Sequence, residues 1–427
     1  MIKRKILALL ETHLSSDQMS IIIGPRQVGK TYLMDVLRQK LEAKGQKTVW
    51  LNLDNEEDRK KFTSQADIIS FLELSVGKRK SYIFIDEIQR KKDAGLFLKG
   101  IFDMNLPYKF IVSGSGSLEL KAQIPESMAG RKQLFYVKPV SFAEFVNHRT
   151  DYQYEDRLQQ FLALEEKRAS RLLSEYMAFG GYPRIVLAET AALKQSQMQE
   201  LYRSYIDRDI RDLLNLEKTD AFTDLLKIIS SQIGSLVNVT GLASATNLDV
   251  KTINKYLWYL EQTFIIRKVT PYFRSPGSEI TKMPIYYFVD VGFRNWLLGL
   301  FGLSEIPRSL SGHLFENIVF NTLFDQFELS PTHIHFWRTR DKAEVDFIIK
   351  TGLETVPIEV KYTKLSEMAI PRSLRSFITK YAPKKGYIIH TGNGSLQKAI
   401  ENTTLKLMPY WSLIFSAQDI NPEIDTA

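Results

Sequence analysis

The sequence contains no cysteine in 427 residues. Disulfides, cysteine-ligated zinc and thiol catalysis are therefore excluded, and a reducing, cytoplasmic setting is the expectation. Long apolar runs are missing as well. No stretch reaches the roughly 18 residues needed to cross a bilayer, so no membrane partner is expected. The opening MIKRKILALLETHLSS places basic residues before an apolar stretch, as a leader would. That stretch runs only from Ile6 to Leu10 and is followed by Glu11 and His13 without a small-residue cleavage site. Ile6, Leu9, Leu10 and Leu14 recur at helical spacing, which predicts an amphipathic helix instead. Internal repeats and low-complexity tracts are also absent; only the last dozen residues read as a loose tail.

What is present is material for several cores. The chain is 44% apolar and 25% charged, and its length exceeds one ordinary domain. A formal charge of +8 fits a polyanionic partner such as nucleic acid, and fits plain solubility equally well. Residues 19–145 alternate short β-branched runs with helical patterns, which predicts an α/β parallel sheet covered on both faces. Ser20–Ile23, Thr48–Leu53, Ser81–Ile85 and Tyr108–Val112 read as its strands, with helices such as Tyr32–Lys44 between them. Residues 153–230 carry long helical patterns broken at Gly180-Gly181-Tyr182-Pro183. Beyond 280, Tyr286–Val289, Val345–Ile349, Pro357–Val360 and Gly386–His390 read as strands.

Gly24-Pro25-Arg26-Gln27-Val28-Gly29-Lys30-Thr31 fulfils the phosphate-loop pattern G-x-x-x-x-G-K-[ST]. Glycines allow the backbone N–H groups to turn inward onto phosphates, and a helix starting at Lys30 adds its positive dipole end. Lys30 is expected to reach the β- and γ-phosphates of ATP, and the Thr31 hydroxyl to ligate Mg2+. Downstream, Tyr82-Ile83-Phe84-Ile85-Asp86-Glu87 is a buried strand delivering two carboxylates to its C-terminal edge, where open α/β sheets bind ligands. Asp86 is the expected magnesium ligand, and Glu87 the group that orients or deprotonates the attacking water. A third strand runs into Ser113-Gly114-Ser115, making Ser113 and Ser115 candidates for sensing the γ-phosphate or holding that water.

From Gly24 to Phe145 the chain resembles AAA+ ATPases. The likeness is to a prokaryotic family in which such a module is fused to a C-terminal domain of unknown function. The matching pieces are GPRQVGKT, FIDEIQR, SGSGSLEL, ESMAGR and SFAEF, then FGGYPR and the Arg208-Asp209-Ile210 segment. The resemblance implies an arginine contacting the γ-phosphate, with Arg131 the first candidate and Arg184 and Arg208 the next. An arginine reaching across a subunit edge would make hydrolysis depend on a homo-oligomer.

Val239–Ala245 predicts a short helix, Thr246-Asn247-Leu248 a turn, and Asp249 the N-cap of a second helix. Ile253, Leu257 and Leu260 form the apolar stripe of that helix, with Lys251, Lys255, Tyr259 and Gln262 on the other side. Phe264–Val269 then reads as a strand. Together these resemble a winged helix-turn-helix, a module that docks DNA or protein.

Three further carboxylates stand out: Glu316 in a helical pattern, Asp346 in EVDFII and Glu359 in PIEVK. Strand alternation puts Glu359 and Lys361 on one face. A hairpin through Thr351-Gly352-Leu353 would bring them to Asp346. Converging carboxylates need a cation, and oxygen ligands select Mg2+ or Mn2+. A lysine beside them suits metal-assisted phosphodiester hydrolysis. The pattern resembles the PD-(D/E)XK nuclease superfamily, which implies a restriction-endonuclease-like α/β domain. Trp337, Arg338, Arg340 and Lys342 offer a basic, aromatic approach to a phosphate backbone. Ile285 stands where a lysine is usual in the resembling family.

The expected organisation is an ATPase core over 1–148, a helical region over 149–233, a winged helix-turn-helix-like part over 234–278 and a nuclease-like domain over 279–420. The expected function is ATP-dependent handling of DNA, with the C-terminal part binding or cutting it. The alternatives are a nucleotide-gated switch that recognises a partner without cleavage, and a DNA translocase.

Overall fold

Four of the apolar runs, and one that the sequence reading omits, become a single five-stranded sheet in the computed structural model, which describes residues 1–115, 128–206, 220–273, 283–327, 330–416 and 420. Its strands are β1 (Met19–Gly24), β2 (Thr48–Asn52), β3 (Ser81–Asp86), β4 (Tyr108–Ser115) and β5 (Lys132–Tyr136). They lie in the order β2-β3-β4-β1-β5, and every pair is parallel. Alternation along the strands feeds two cores. Ile22, Phe84 and Ile111 meet Leu33, Met34 and Leu37 of helix Lys30–Ala43, whereas Ile21, Ile23, Ile83, Ile85 and Val112 meet Ile68, Leu72, Leu98 and Ile101 on the opposite face. Burial on both faces explains why these strands read as continuous apolar runs.

The middle of the chain is helical. Helix Glu166–Phe179 stops at Gly180, whose φ of 74° is open to glycine at little cost. A β-carbon there would lie 2.4 Å from Oδ1 of Asp290, and one on Gly292 would lie 2.0 Å from the Phe179 carbonyl oxygen. The FGGYPR turn and the segment Asp290–Gly292 are thus in backbone contact. Asp290 accepts hydrogen bonds from the N–H groups of Gly181 at 2.7 Å and Phe293 at 2.8 Å. Burial still pushes its carboxyl up to about 6.

Helices Val239–Thr246 and Val250–Gln262 follow, the second capped by Asp249, which accepts from Thr252 N–H at 2.9 Å. Strands β6 (Ile266–Val269) and β7 (Ile285–Phe288) form an antiparallel pair.

A second, mixed sheet closes the chain. It contains β8 (His333–Arg338), β9 (Glu344–Thr351), β10 (Glu354–Lys361), β11 (Lys385–His390), β12 (Leu396–Ile400) and β13 (Thr403–Pro409), in the order β12-β13-β11-β10-β9-β8. Strands β8, β12 and β13, like β5, are missing from the sequence reading: β8 and β12 carry many polar residues, and β12 is an exposed edge. Helix Arg308–Phe327 covers one face and helix Arg372–Tyr381 the other. One hydrophobic cluster runs from helix Lys30–Ala43 through Tyr176 and Phe293 to Phe315 and Tyr410, so the two sheets share a continuous core. Most of the C-terminal tail lies outside the described residues. No helix among the described residues is long and apolar enough to cross a membrane.

Candidate nucleotide site and C-terminal carboxylate site

The phosphate loop leaves the C-terminal end of β1, in the middle of the sheet, so its backbone is held on both sides. Gly24 is required by space: a β-carbon would sit 2.1 Å from the Val137 carbonyl oxygen. Gln27 at φ 59° and Gly29 at φ 93° curl the loop into helix Lys30–Ala43. Lys30 folds back into this ring and donates to the carbonyl oxygens of Gly24 at 3.0 Å and Pro25 at 2.7 Å. Thr31 Oγ1 donates to Asp86 Oδ2 at 2.8 Å, and Ser113 Oγ donates to Asp86 Oδ1. The hydroxyl and carboxylate expected at one magnesium ion are therefore adjacent before any ion binds, a donor set that fits Mg2+. Glu87 adopts φ 56°, an uncommon left-handed conformation for a non-glycine residue, and its carboxylate accepts from Gln89 Nε2.

The loop is braced by a residue that motif reading does not flag. The Arg4 side chain, 7% exposed, pairs with Glu144 at 3.1 Å and donates to the carbonyl oxygens of Val28 at 3.2 Å and Lys138 at 2.6 Å. Glu144 is itself the fourth member of the SFAE capping box begun by Ser141. One motif of the family resemblance is thereby a fastener of the phosphate loop. The basic residues before the first apolar run were its only sequence signal.

A cleft of about 1030 Å³ opens over the loop, lined by Arg26, Lys30, Thr31 and Glu87 on one side and by Arg184, Arg203 and Ser204 on the other. Arg184 pairs with Glu200 at 3.2 Å and is more than half exposed. Arg203 is absent from the sequence reading; nothing in its local pattern separates it from other helix-surface arginines. Arg131 lies elsewhere. Its carbonyl oxygen accepts from Met19 N–H at the start of β1, the opposite end of the sheet, and its guanidinium pairs with Asp103 at 2.6 Å. Within one chain it is separated from the loop by the length of β1, roughly 17 Å at 3.3 Å per residue. Any nucleotide it touches would belong to another subunit. Arg208 and the side chain of Ser115 lie outside the described residues.

The C-terminal carboxylates also converge, in a different environment. Strands β9 and β10 form the expected antiparallel hairpin, with Ile358 opposite Phe347 and hence Glu359 opposite Asp346. Asp346 accepts from Val360 N–H at 2.6 Å, and Lys361 donates to Glu359 Oε1 at 2.6 Å. The other oxygen of Glu359 is buried without a partner. Glu316, on helix Arg308–Phe327, accepts from the Tyr287 hydroxyl and pairs with His313 Nδ1 at 3.1 Å. Burial, then Glu359 and Glu316, hold Asp346 well above the usual carboxylate range. Glu359 is raised by burial against the pull of Lys361. Burial works to lower Lys361, and Glu359 outweighs it, so the ammonium is retained. The hydrogen bond to Glu316 raises His313.

Among the described residues no three carboxylate or imidazole groups stand close enough to hold one metal ion, so Glu316, Asp346 and Glu359 are neighbours rather than a ready cage. Tyr287 and His313 claim Glu316, and Gly234 crowds it: a β-carbon there would lie 3.2 Å from Glu316 Oε1. Trp337 is 3% exposed and packs in an aromatic cluster with Phe377 and Tyr381, while Arg338 pairs with Glu344 at 3.1 Å. Tryptophan beside arginines reads as a surface motif in sequence; here the ring serves the core. In helix Val250–Gln262, Tyr259 is likewise buried, and Lys251, Asn254, Lys255 and Trp258 form the exposed face.

Three family models match the chain. Residues 16–146 match the model of a family described as an AAA domain. Residues 170–304 and 311–413 match two domains of unknown function, DUF8612 and DUF4143. An uncharacterized protein of Haemophilus influenzae is 25% identical over 362 residues, covering 81% of this chain and 83% of its own. An uncharacterized protein of Mycobacterium tuberculosis is 24% identical over 392 residues, covering 91% and 80%. Among solved structures, the replication initiator DnaA bound to AMPPCP and single-stranded DNA aligns over 61% of this chain and 90% of its own, at 12% identity and a TM-score of 0.30. Drosophila ORC bound to DNA aligns over 70% and 96%, at 14% identity and a TM-score of 0.29. The N-terminal part is a P-loop AAA+ ATPase domain, a nucleotide-binding and nucleotide-hydrolysing class. It is followed by a C-terminal domain built on its own mixed sheet.

Proposed function

We propose that the chain uses ATP and Mg2+ to control a C-terminal module that acts on DNA, and that it works as a homo-oligomer. The observation that carries the ATP half is the phosphate-loop cleft, which joins Lys30, Thr31, Asp86 and Glu87 to Arg184 and Arg203 of the helical region. Magnesium-bound ATP would supply the reactive anhydride and a charge-neutralising cation. Lys30 would leave the two loop carbonyls for the β- and γ-phosphates. Thr31 and Asp86 would hold the cation, with Ser113 fixing the Asp86 rotamer. Glu87 would exchange Gln89 for the attacking water and take its proton. Arg184 and Arg203 would close over the nucleotide in cis. Arg131, at the far end of the sheet, is suited only to a contact between subunits.

The DNA half rests on the net charge of +8, on the helix-turn-helix and strand pair of residues 239–288, and on the hairpin carboxylates with Lys361. Glu359, buried with one oxygen unpartnered, favours a cation beside Asp346, and Mg2+ or Mn2+ suits this donor set. Such an ion would polarise a phosphodiester, while Lys361 neutralises the developing charge. A second reading has its own support: Tyr287, His313 and Gly234 occupy the surroundings of Glu316, as in a nucleotide-gated switch whose C-terminal domain recognises a partner without cutting.

The deciding experiment incubates wild type, Lys30→Ala and Asp346→Ala with linear, branched and single-stranded DNA, Mg2+ or Mn2+, with and without ATP. Cleavage lost in Asp346→Ala identifies the nuclease, and its response to Lys30→Ala reports control by ATP. ATP turnover without cleavage of any substrate would transfer the conclusion to the switch.

A further inference from the structure

Helix Val250–Gln262 buries Ile253, Tyr256, Leu257, Tyr259 and Leu260 against the helices before it. Its outward face carries Lys251, Asn254, Lys255 and Trp258, at i, i+3, i+4 and i+7. Trp258 is the exception among the five tryptophans. It is 47% exposed, while Trp337 and Trp411 are buried and Trp50 and Trp296 half-buried. An indole left in water at the centre of a helix face forgoes the largest apolar burial any side chain offers. The ring is steadied from beneath by Tyr259, 5.4 Å away and edge-on. Lys255 lies over the Tyr259 ring. Lys268 of the neighbouring strand β6 is exposed as well. Of the acids near this face, the N-cap Asp249 is engaged in capping, accepting from the N–H and the hydroxyl of Thr252, and Glu261, one turn after Trp258, is half-buried.

We propose that this face is a stacking platform for single-stranded nucleic acid, in which Trp258 takes an unpaired base while Lys251 and Lys255 meet the flanking phosphates. The inference rests on the DNA reading and narrows it. Two lysines with an aromatic between polar groups satisfy both needs of single-strand binding, backbone charge and a ring for the base. A duplex uses them less well. Its bases are already stacked, so the indole face finds no partner there, and the ring occupies the turn of the helix that a groove-reading helix would give to base edges. Asn254, on the same face one turn before Trp258, supplies a donor and an acceptor for the edge of the stacked base.

The test uses the full chain and three probes of equal length: an oligothymidylate, the same strand made abasic, and a duplex. The expected result is preference for the oligothymidylate, with quenching of tryptophan fluorescence that disappears in Trp258→Ala. Trp258→Ala should weaken that strand by about tenfold or more and leave the abasic strand unaffected, with Trp258→Phe retaining most of the affinity. Replacing Lys251 and Lys255 by Ala should reduce the salt slope by roughly 1.4 for the single strand. Basal ATP turnover without DNA should be unchanged in Trp258→Ala, which shows that the variant is folded. Duplex preference, or equal binding of oligothymidylate by wild type and Trp258→Ala, would overturn the platform and leave the DNA reading standing. Binding to none of the probes would remove both, leaving the face to a protein partner.

Discussion

The two carboxylate-bearing sites of this chain are built in opposite ways. At the nucleotide site, Glu87 lines an open cleft together with Lys30, Thr31, Arg184 and Arg203, and buried Asp86 lies behind it, bonded to Thr31 and Ser113. At the C-terminal site, Glu359 and Glu316 are buried and Asp346 half-buried; burial and the neighbouring carboxylates raise Asp346 and Glu359, and Val360, Lys361, Tyr287 and His313 hold the three groups. The first is arranged to receive a ligand; the second is closed around its own carboxylates. Residue types alone do not separate the two cases. What does is the groups already bonded to each carboxylate and the charges that surround it.

The largest expected effects break the nucleotide side. Lys30→Ala and Glu87→Gln should each lower ATP turnover by about a thousandfold, measured as phosphate release. They should differ in binding: Glu87→Gln should retain nucleotide affinity, and Lys30→Ala should lose most of it. A smaller effect lies between the sites. The folded chain holds the Asp290 carboxyl up to about 6, so its ionisation costs more folded than unfolded. The stability it contributes is full below about pH 4 and is lost as pH rises through about 6, amounting to about 3 kcal/mol. Urea denaturation at steps from pH 4 to 7 should show this decline, and Asp290→Asn should lack that part of the slope. The smallest effect sharpens the C-terminal side. Asp346→Asn keeps an acceptor for Val360 N–H and removes one of three mutually repelling charges. At pH 8 without metal it should be more stable than wild type by about 1 kcal/mol, a rise of roughly 2 °C in melting temperature. Mn2+ should stabilise wild type and not the variant. If Asp346→Asn is instead the less stable, the carboxylates are held apart well enough to count as structural.

Much of the nucleotide site was legible because its chemistry is local. Eight consecutive residues make the phosphate loop, and six make the strand that ends in Asp86. The parts supplied from a distance were not: Arg4, Arg203 and the clasp of Asp290 on FGGYPR depend on contacts more than twenty residues apart in sequence. Arg131 lies at the end of the sheet away from the loop, so the role its motif resemblance implies could be played only from another subunit. In the C-terminal part the hairpin of β9 and β10 followed from alternation and a glycine turn. The fate of Trp337 did not, because a tryptophan among arginines looks alike whether it faces solvent or a helix.

The sequence by itself determined the phosphate loop, the parallel α/β core and the pairing of Asp346 with Glu359. Each is fixed by spacing along one element or across one turn, where backbone geometry leaves few choices. Only the tertiary structure decided which arginines face the nucleotide, that Tyr287 and His313 hold Glu316, and that Trp258 rather than Tyr259 is exposed. Those outcomes depend on which faces of distant elements meet. Burial and electrostatic environment are properties of that meeting, and no local pattern encodes them.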